Sequence, residues 1–198
     1  SSDLPVACNG GTAVVSVSAS GGSGGYTGPG TYSVVAGSYS YTVSDANNCY
    51  AAASVIVSEP AKLNASSSSG TIACNGGSTT VTVSATGGLT PYTGTGSFSV
   101  TAGTYSYQVT DANGCSTSTA ITVSQPAALT AASSATSILC NGGTSSVTVS
   151  ATGGTAPYTG TGVFTVAAGT YNYTVTDSRG CTATTSVTVT QPAALDRK

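Results

Sequence analysis

An internal repeat with a period of about 66 residues organises the chain, and a fixed period of this length indicates a tandem array of equivalent modules. The tetrapeptide C-N-G-G occurs once in each copy, and a second cysteine follows it at a spacing that is the same in all three copies. The first cysteines are Cys8, Cys74 and Cys140, and the second are Cys49, Cys115 and Cys181. We therefore expect three small domains, 1–62, 63–128 and 129–194, with 195–198 as a tail or the start of a further segment.

Apolar and hydroxyl residues alternate with period two inside each repeat, as they do in half-buried strands. In the second repeat this pattern predicts strands at 80–85, 97–100 and 104–110, one ending at Ile121 and Val123, and one running from Leu63 toward Cys74. Helix signals are absent, and glycines separate the short Thr-rich segments. The sequence thus predicts an all-β protein in which each repeat folds as an Ig-like antiparallel β-sandwich.

The cysteines predict one cross-link in each repeat. A module of this size buries only about 60% of its unfolded surface, so its core is marginal and a covalent staple is expected. Six cysteines permit many pairings, and the repeat favours Cys8–Cys49, Cys74–Cys115 and Cys140–Cys181. Structural disulfides persist in oxidising compartments. We therefore expect a secreted protein located at the extracellular cell surface.

Each repeat has a turn before its second cysteine, written D-A-N-G at 111–114 and D-S-R-G at 177–180. Asp at the first position and Gly at the fourth are typical of a type I turn followed by a left-handed residue. The first repeat has Asn48 where the others have Gly114 and Gly180. Asn is the non-glycine residue that best tolerates positive φ. We therefore expect a positive φ at all three positions.

Charged residues are scarce, and the net charge is −2. No cluster of Lys or Arg is present that could neutralise phosphates, which disfavours nucleic acid and anionic lipid as partners. The longest apolar runs are a few residues, far below the ~20 that a helix needs to cross a bilayer. We expect neither a nucleic-acid partner nor direct membrane insertion.

The residues needed for catalysis are missing. The chain has no histidine, which removes the usual general base and the usual partner of a nucleophile. The two cysteines of a repeat stand far apart in the sequence with no C-x-x-C motif, which argues against zinc. We predict that the protein is not an enzyme and has no cofactor.

The turn aspartates Asp45, Asp111 and Asp177 are the candidate calcium ligands, because calcium prefers carboxylate oxygens. Only one such carboxylate occurs in each turn, with Asn47 or Asn113 as a second oxygen source in two of them. The competing interpretation is that each Asp accepts hydrogen bonds from its own turn. We favour this second interpretation.

Two groups of tyrosines recur with the repeat. The pairs 39/41, 105/107 and 171/173 share a strand face with a valine, which predicts core packing with one hydroxyl bonded to the backbone. A sugar-stacking platform is the alternative for these pairs. The other group lies near glycine-rich loops, and it supplies the candidate ligand contacts Tyr26, Tyr92 and Tyr158.

The combined motifs resemble the SprB repeat of very large cell-surface adhesins in gliding Bacteroidota. They are C-N-G-G, V-T-V-S-A-T-G-G, P-Y-T-G, A-G-T-Y-S-Y, D-A-N-G-C and Q-P-A-A-L, most complete between Cys74 and Leu129. The resemblance implies Ig-like modules, type IX secretion, display as surface filaments, and a role in cell adhesion or gliding motility.

The leading functional hypothesis is a structural stalk or fibre segment of such an adhesin. One alternative is an array of modules that bind extracellular glycans or other surface polymers. Another is a self-assembling filament subunit, because strand edges that carry Thr and Ser rather than Lys are poorly protected from pairing. The expected partners are therefore the neighbouring repeats of the same chain, other copies of the chain, or extracellular glycans and surfaces.

Overall fold

The structure is a computed structural model and describes residues 3–196; Arg197 and Lys198 of the predicted tail lie outside the described residues. The first repeat contains β1 (Asp3–Pro5), β2 (Ala13–Val17), β3 (Gly30–Val34), β4 (Gly37–Ser44) and β5 (Tyr50–Ser58). The second contains β6 (Asn64–Ser69), β7 (Thr79–Thr86), β8 (Gly96–Val100), β9 (Gly103–Thr110) and β10 (Ser116–Val123). The third contains β11 (Thr130–Ala135), β12 (Ser145–Thr152), β13 (Gly162–Val166), β14 (Gly169–Thr176) and β15 (Thr182–Val189).

The fold is all-β, as predicted, and the part of the chain that the structure describes contains no helix. It follows that no helix among residues 3–196 is long and apolar enough to cross a membrane. In each repeat the five strands form two small sheets. The sheets are β1-β5-β4 with β2-β3, then β6-β7-β8 with β9-β10, and finally β11-β12-β13 with β14-β15. β1 runs parallel to β5, whereas β5 pairs antiparallel with β4.

The period-two alternation places valines between the two sheets. In the third repeat, Val147 and Val149 of β12 pack with Val175 of β14 and Val189 of β15. Val147 and Val175 are completely buried, and removing a valine side chain from water contributes roughly 1.5–3 kcal/mol. The first repeat has an equivalent core that includes Val15 and residues of β5. Each of these two repeats is therefore a small β-sandwich.

The turns before the second cysteines have the backbone shape that the sequence predicts. Asn48 has a φ of 60°, and it is the one non-glycine residue with positive φ among those described. The equivalent Gly114 and Gly180 have φ of 81° and 84°. The substitution of Asn for Gly within the repeat therefore preserves the left-handed conformation.

The predicted pairing of cysteines within each repeat is wrong. Cys8 is bonded to Cys115 and Cys74 to Cys181, so each disulfide joins the first cysteine of one repeat to the second cysteine of the next. The Cα–Cα distances are 5.7 and 5.6 Å, within the range for a disulfide. Cys49 and Cys140 are free and exposed. The pairs Cys8–Cys49, Cys74–Cys115 and Cys140–Cys181 are therefore not formed.

The reason is that the two cysteines of a repeat lie at opposite ends of its last strand. In the second repeat, Cys115 immediately precedes β10, whereas Asn75, next to Cys74, hydrogen-bonds the Pro126 carbonyl beyond the other end of β10. A strand of eight residues is about 26 Å long. A disulfide requires Cα atoms within about 7 Å, so Cys74 cannot reach Cys115.

The chain divides into two compact units, and each contains one disulfide. Unit 1 consists of Ser1–Ser68, Thr82–Ser97 and Tyr105–Ile121, and it includes the Cys8–Cys115 bond. Unit 2 consists of Ser69–Val81, Phe98–Thr104 and Thr122–Lys198, and it includes the Cys74–Cys181 bond. The second repeat contributes segments to both units. The domain boundaries at 62/63 and 128/129 stay predictions.

Candidate functional site at the repeat junctions

The C-N-G-G motif and the later E/Q-P dipeptide bind each other in every repeat. In the second repeat, the Asn75 side chain donates to the Pro126 carbonyl at 3.0 Å, and the Gly76 N–H donates to the Gln125 side chain at 2.7 Å. The first repeat makes the same pair with Asn9–Pro60 and Gly10–Glu59, and the third with Asn141–Pro192 and Gly142–Gln191. We call this pair of hydrogen bonds the clasp. It holds the first cysteine of each repeat beyond the end of the last strand.

The connecting segment between repeats, residues 60–63 at the first junction and 126–129 at the second, lies against a pair of glycines in the following repeat. The Gly88 N–H donates to the Ala61 carbonyl at 2.7 Å. Gly87 has a φ of +75°, and a Cβ at this residue would collide with the Lys62 carbonyl. The next junction repeats these contacts, with Gly154 bonded to Ala127 and Gly153 facing the Ala128 carbonyl. Glycine is required here by close approach of two backbones as well as by its φ.

The turn aspartates organise the same junctions. Asp111 is buried, and its carboxylate accepts hydrogen bonds from the backbone N–H groups of Leu89, Asn113 and Cys115 at 2.9–3.0 Å. Burial raises the pKa of Asp111, but the hydrogen bonds outweigh it, and the net pKa is below the usual value. The carboxylate therefore fixes the turn and holds Cys115 beside the preceding repeat.

Asp177 and Asp45 are bonded in the same way. Burial raises the pKa of Asp177, and the N–H donors together with the Arg179 charge lower it to a net value below the usual one. The Cys49 N–H is the main cause that lowers the pKa of Asp45 to about 2, followed by the backbone and side chain of Ser23.

The calcium candidates are thus engaged by their own turns. Asp45, Asp111 and Asp177 each accept several N–H bonds, which use the oxygen lone pairs that a calcium ion would need. Among residues 3–196 no group of three or more Asp, Glu, His or Cys side chains is positioned to hold a metal. The geometry supports the turn-capping interpretation of these residues.

The strand tyrosines pack against the cores. Tyr39 and Tyr41 lie against the first core, and Tyr171 and Tyr173 against the third. The hydroxyl of Tyr171 donates to the Ala167 carbonyl at 3.1 Å. The hydroxyls of Tyr41 and Tyr173 are buried without a hydrogen-bond partner in the described part of the chain. Burial, with the neighbouring Tyr39 and Tyr32, raises the pKa of Tyr41.

The hydroxyls of the loop tyrosines donate to backbone carbonyls of the glycine pairs, and contact of these side chains with a ligand stays a prediction. The hydroxyl of Tyr92 donates to Gly87 at 2.6 Å and that of Tyr158 to Gly153 at 2.6 Å, and Tyr26 makes the same bond to Gly21. Tyr92 and Tyr158 are half-buried. Their hydroxyls support the glycines that receive the connecting segment, which gives these side chains a structural role at the junction.

The junction is the site that the structure points to, and its chemistry is covalent cross-linking. No family model matches the chain. No curated protein matches it either. The geometry of the candidate site consists of a clasp that presents one cysteine and an Asp-centred turn that presents the other.

Sequence reasoning missed the clasp. Asn75 and Pro126 recur in all three repeats at a constant separation, as do Gly76 and the acidic or amide residue before the proline. In a tandem repeat every pair of equivalent positions keeps its separation, so this recurrence does not by itself reveal that the two residues are in contact.

Proposed function

We propose that the chain is a structural segment of an extracellular bacterial surface adhesin, in which disulfides between successive repeats carry tension. The observation that carries this proposal is the staggered pairing of Cys8 with Cys115 and of Cys74 with Cys181. A disulfide within a repeat would limit the extension of that repeat only. A disulfide between repeats adds a second covalent link beside the connecting segment, so that this segment does not carry the load between repeats alone.

Chemistry and sequence resemblance support the proposed setting. The two disulfides suit an oxidising, extracellular environment. The resemblance to SprB repeats supports display on the surface of a gliding bacterium after type IX secretion. The scarcity of Lys and Arg also suits an extracellular environment rich in proteases, because Lys62 and Arg179 are the only sites between residues 3 and 196 at which a trypsin-like protease would cut.

The covalent path through the chain shows how the staggered bonds limit extension. With both disulfides intact, the shortest path from Cys8 to Cys181 crosses to Cys115, follows the backbone back to Cys74, and crosses again. The stretch between Cys74 and Cys115 spans roughly 140 Å when fully extended. After reduction, the whole chain from Cys8 to Cys181 becomes extensible, which gives roughly 600 Å.

Single-molecule pulling with handles at the two chain ends tests the proposal. We expect a fully extended contour length between Cys8 and Cys181 of roughly 140 Å when oxidised and roughly 600 Å after reduction. In the oxidised Cys8→Ala/Cys115→Ala variant the path follows the backbone from residue 8 to Cys74 and then crosses to Cys181, which raises this contour length from roughly 140 Å to roughly 230 Å. Equal gains before and after reduction would rule out load-bearing by the disulfides.

A further inference from the structure

A cleft of about 390 Å³ lies at the second junction, and all the residues that line it belong to unit 2. The third repeat forms one wall through Thr155 and Arg179, and the second repeat forms the other through the ends of β6 and β10 and the residues that follow them. Ile72 and Pro126 add a small apolar surface. The volume is in the range of sites for small molecules. We call this space the junction cleft.

Hydroxyl and amide groups supply most of the polar lining. Thr71 and Ser124 are exposed, and Thr155 is half-buried. The side-chain oxygen of Gln125 accepts the Gly76 N–H at 2.7 Å as part of the clasp. This bond fixes the orientation of the Gln125 amide and leaves its NH₂ group to donate. The cleft therefore offers several groups that exchange hydrogen bonds with a polyhydroxylated ligand.

Arg179 supplies the charge of the cleft. The carboxylate of its own turn, Asp177, accepts the backbone N–H groups of Thr155, Arg179 and Cys181 at 2.9 Å each. These bonds hold the Arg179 backbone in a fixed position and use the carboxylate oxygens. The guanidinium is exposed and lines the cleft, where its planar set of N–H donors matches the two oxygens of a carboxylate.

The first junction differs at the positions that matter for charge. The residues equivalent to Arg179 and Gln125 are Asn113 and Glu59. The Asn113 side chain donates to the Ala7 carbonyl at 2.8 Å and so closes the first junction by a bond within the chain. Glu59 places a negative charge where the second junction has a neutral amide, and it would repel an anion. The cationic, hydroxyl-lined cleft is therefore particular to the second junction.

We propose that the junction cleft binds a carboxylate-bearing sugar, such as a hexuronic acid residue of an extracellular polysaccharide. The carboxylate accepts two parallel N–H bonds from Arg179, and the ring hydroxyls bond to Thr71, Ser124 and the Gln125 amide. The C–H groups of the ring pack on Pro126. A single cation among hydroxyl groups matches a single carboxylate on a polyol. The inference goes beyond the proposed structural role, because it gives the segment a ligand of its own.

Titration of the whole chain with trigalacturonic acid at low ionic strength tests the site, with amide chemical shifts in NMR spectra as the readout. We expect shifts at Thr71, Gln125 and Arg179, one site per chain, and a Kd of about 1 mM. Added salt should weaken binding, because the ion pair is exposed to solvent. The neutral methyl ester of the same trisaccharide should bind about tenfold more weakly.

Variants separate recognition of the sugar from general attraction of anions. Arg179→Gln should weaken binding about tenfold, and Arg179→Lys should fall between the two because it loses the two-pronged geometry. Lys62→Gln removes the other cation between residues 3 and 196 and should bind as the unmodified protein does. Unchanged urea midpoints would show that each variant is folded, since the Asp177 carboxylate holds the turn.

Four results would each overturn the inference. They are equal affinity for the acid and its methyl ester, an equal loss of affinity in Lys62→Gln, tighter binding of inorganic phosphate than of the trisaccharide, and no shift at the named residues with about 10 mM ligand. None of these results alters the contour lengths expected in the pulling measurement, so the two proposals fail separately.

Discussion

The Asn75 side chain donates to the Pro126 carbonyl at 3.0 Å, so the adjacent Cys74 lies beyond the end of β10. Cys115 stands before the start of that strand. Cys74 is bonded instead to Cys181, in the following repeat. The hydrogen bond within the repeat is therefore consistent with a covalent bond between repeats and not with one inside the repeat.

Loss of the clasp should destabilise the third repeat. Asn141→Ala removes the hydrogen bond to the Pro192 carbonyl, which should lower the free energy of unfolding by about 1 kcal/mol. Urea denaturation measures this change. Asn172→Ala, at an exposed position in β14, is the control and should stay within about 0.5 kcal/mol of the unmodified protein. Equal effects of the two variants would contradict the structural role of the clasp.

The equivalent glycines Gly153 and Gly21 allow a matched comparison, because a backbone carbonyl of the connecting segment lies beside Gly153 and none lies beside Gly21 in the described part of the chain. Gly153 and Gly21 have φ of +74° and +83°, but only a Cβ at Gly153 meets a connecting-segment carbonyl in the described part of the chain. Both Gly→Ala variants should incur about 1–2 kcal/mol for the left-handed conformation. Gly153→Ala should incur about 1–3 kcal/mol more from overpacking.

Thermal or urea unfolding of both variants checks this difference. If Gly21→Ala is as destabilising as Gly153→Ala, the connecting segment does not lie against the glycines as described.

The strands and the turn conformation were predictable because they depend on local sequence. Alternation around Val147 and Val149 identifies the inward face of β12 without any knowledge of its partners. Asn48 reports positive φ because few other residues adopt it. In both cases, the information lies within a few residues of the feature.

The disulfides and the role of the loop tyrosines were not predictable in this way. Pairing depends on the end of the strand at which Cys74 is held, and a hydrogen bond between residues 51 apart decides this. The hydroxyl of Tyr92 reaches the Gly87 carbonyl, which the composition of the loop does not reveal. A constant spacing of cysteines fits pairing within a repeat and pairing between repeats equally well.

Two tyrosines of β14 should respond in opposite directions to loss of the hydroxyl. Tyr173→Phe removes a buried hydroxyl without a described partner, so we expect stability to be unchanged or higher by about 1 kcal/mol. Tyr171→Phe removes the bond to Ala167, so we expect a loss of about 1 kcal/mol. Urea denaturation of both variants measures the changes, and a clear loss in Tyr173→Phe would show that its hydroxyl is bonded.

Acid should weaken the first repeat through Asp45. The folded pKa is about 2, whereas an unfolded Asp titrates near 3.9. The charged carboxylate therefore contributes its full stabilisation above about pH 4, and this contribution is lost as the pH falls through about 2. Melting temperatures at pH 5 and pH 2 should differ less in Asp45→Asn than in the unmodified protein. An equal acid shift in both would contradict the role of this carboxylate.

The staggered disulfides are tested most directly by trypsin digestion of the denatured, unreduced chain after its free thiols are blocked at acidic pH. Cleavage after Lys62 and Arg179 gives fragments 1–62, 63–179 and 180–197. The bonds Cys8–Cys115 and Cys74–Cys181 link all three fragments into one species, which mass spectrometry should detect with blocked Cys49 and Cys140. Release of fragment 1–62 with an internal Cys8–Cys49 bond would contradict the account.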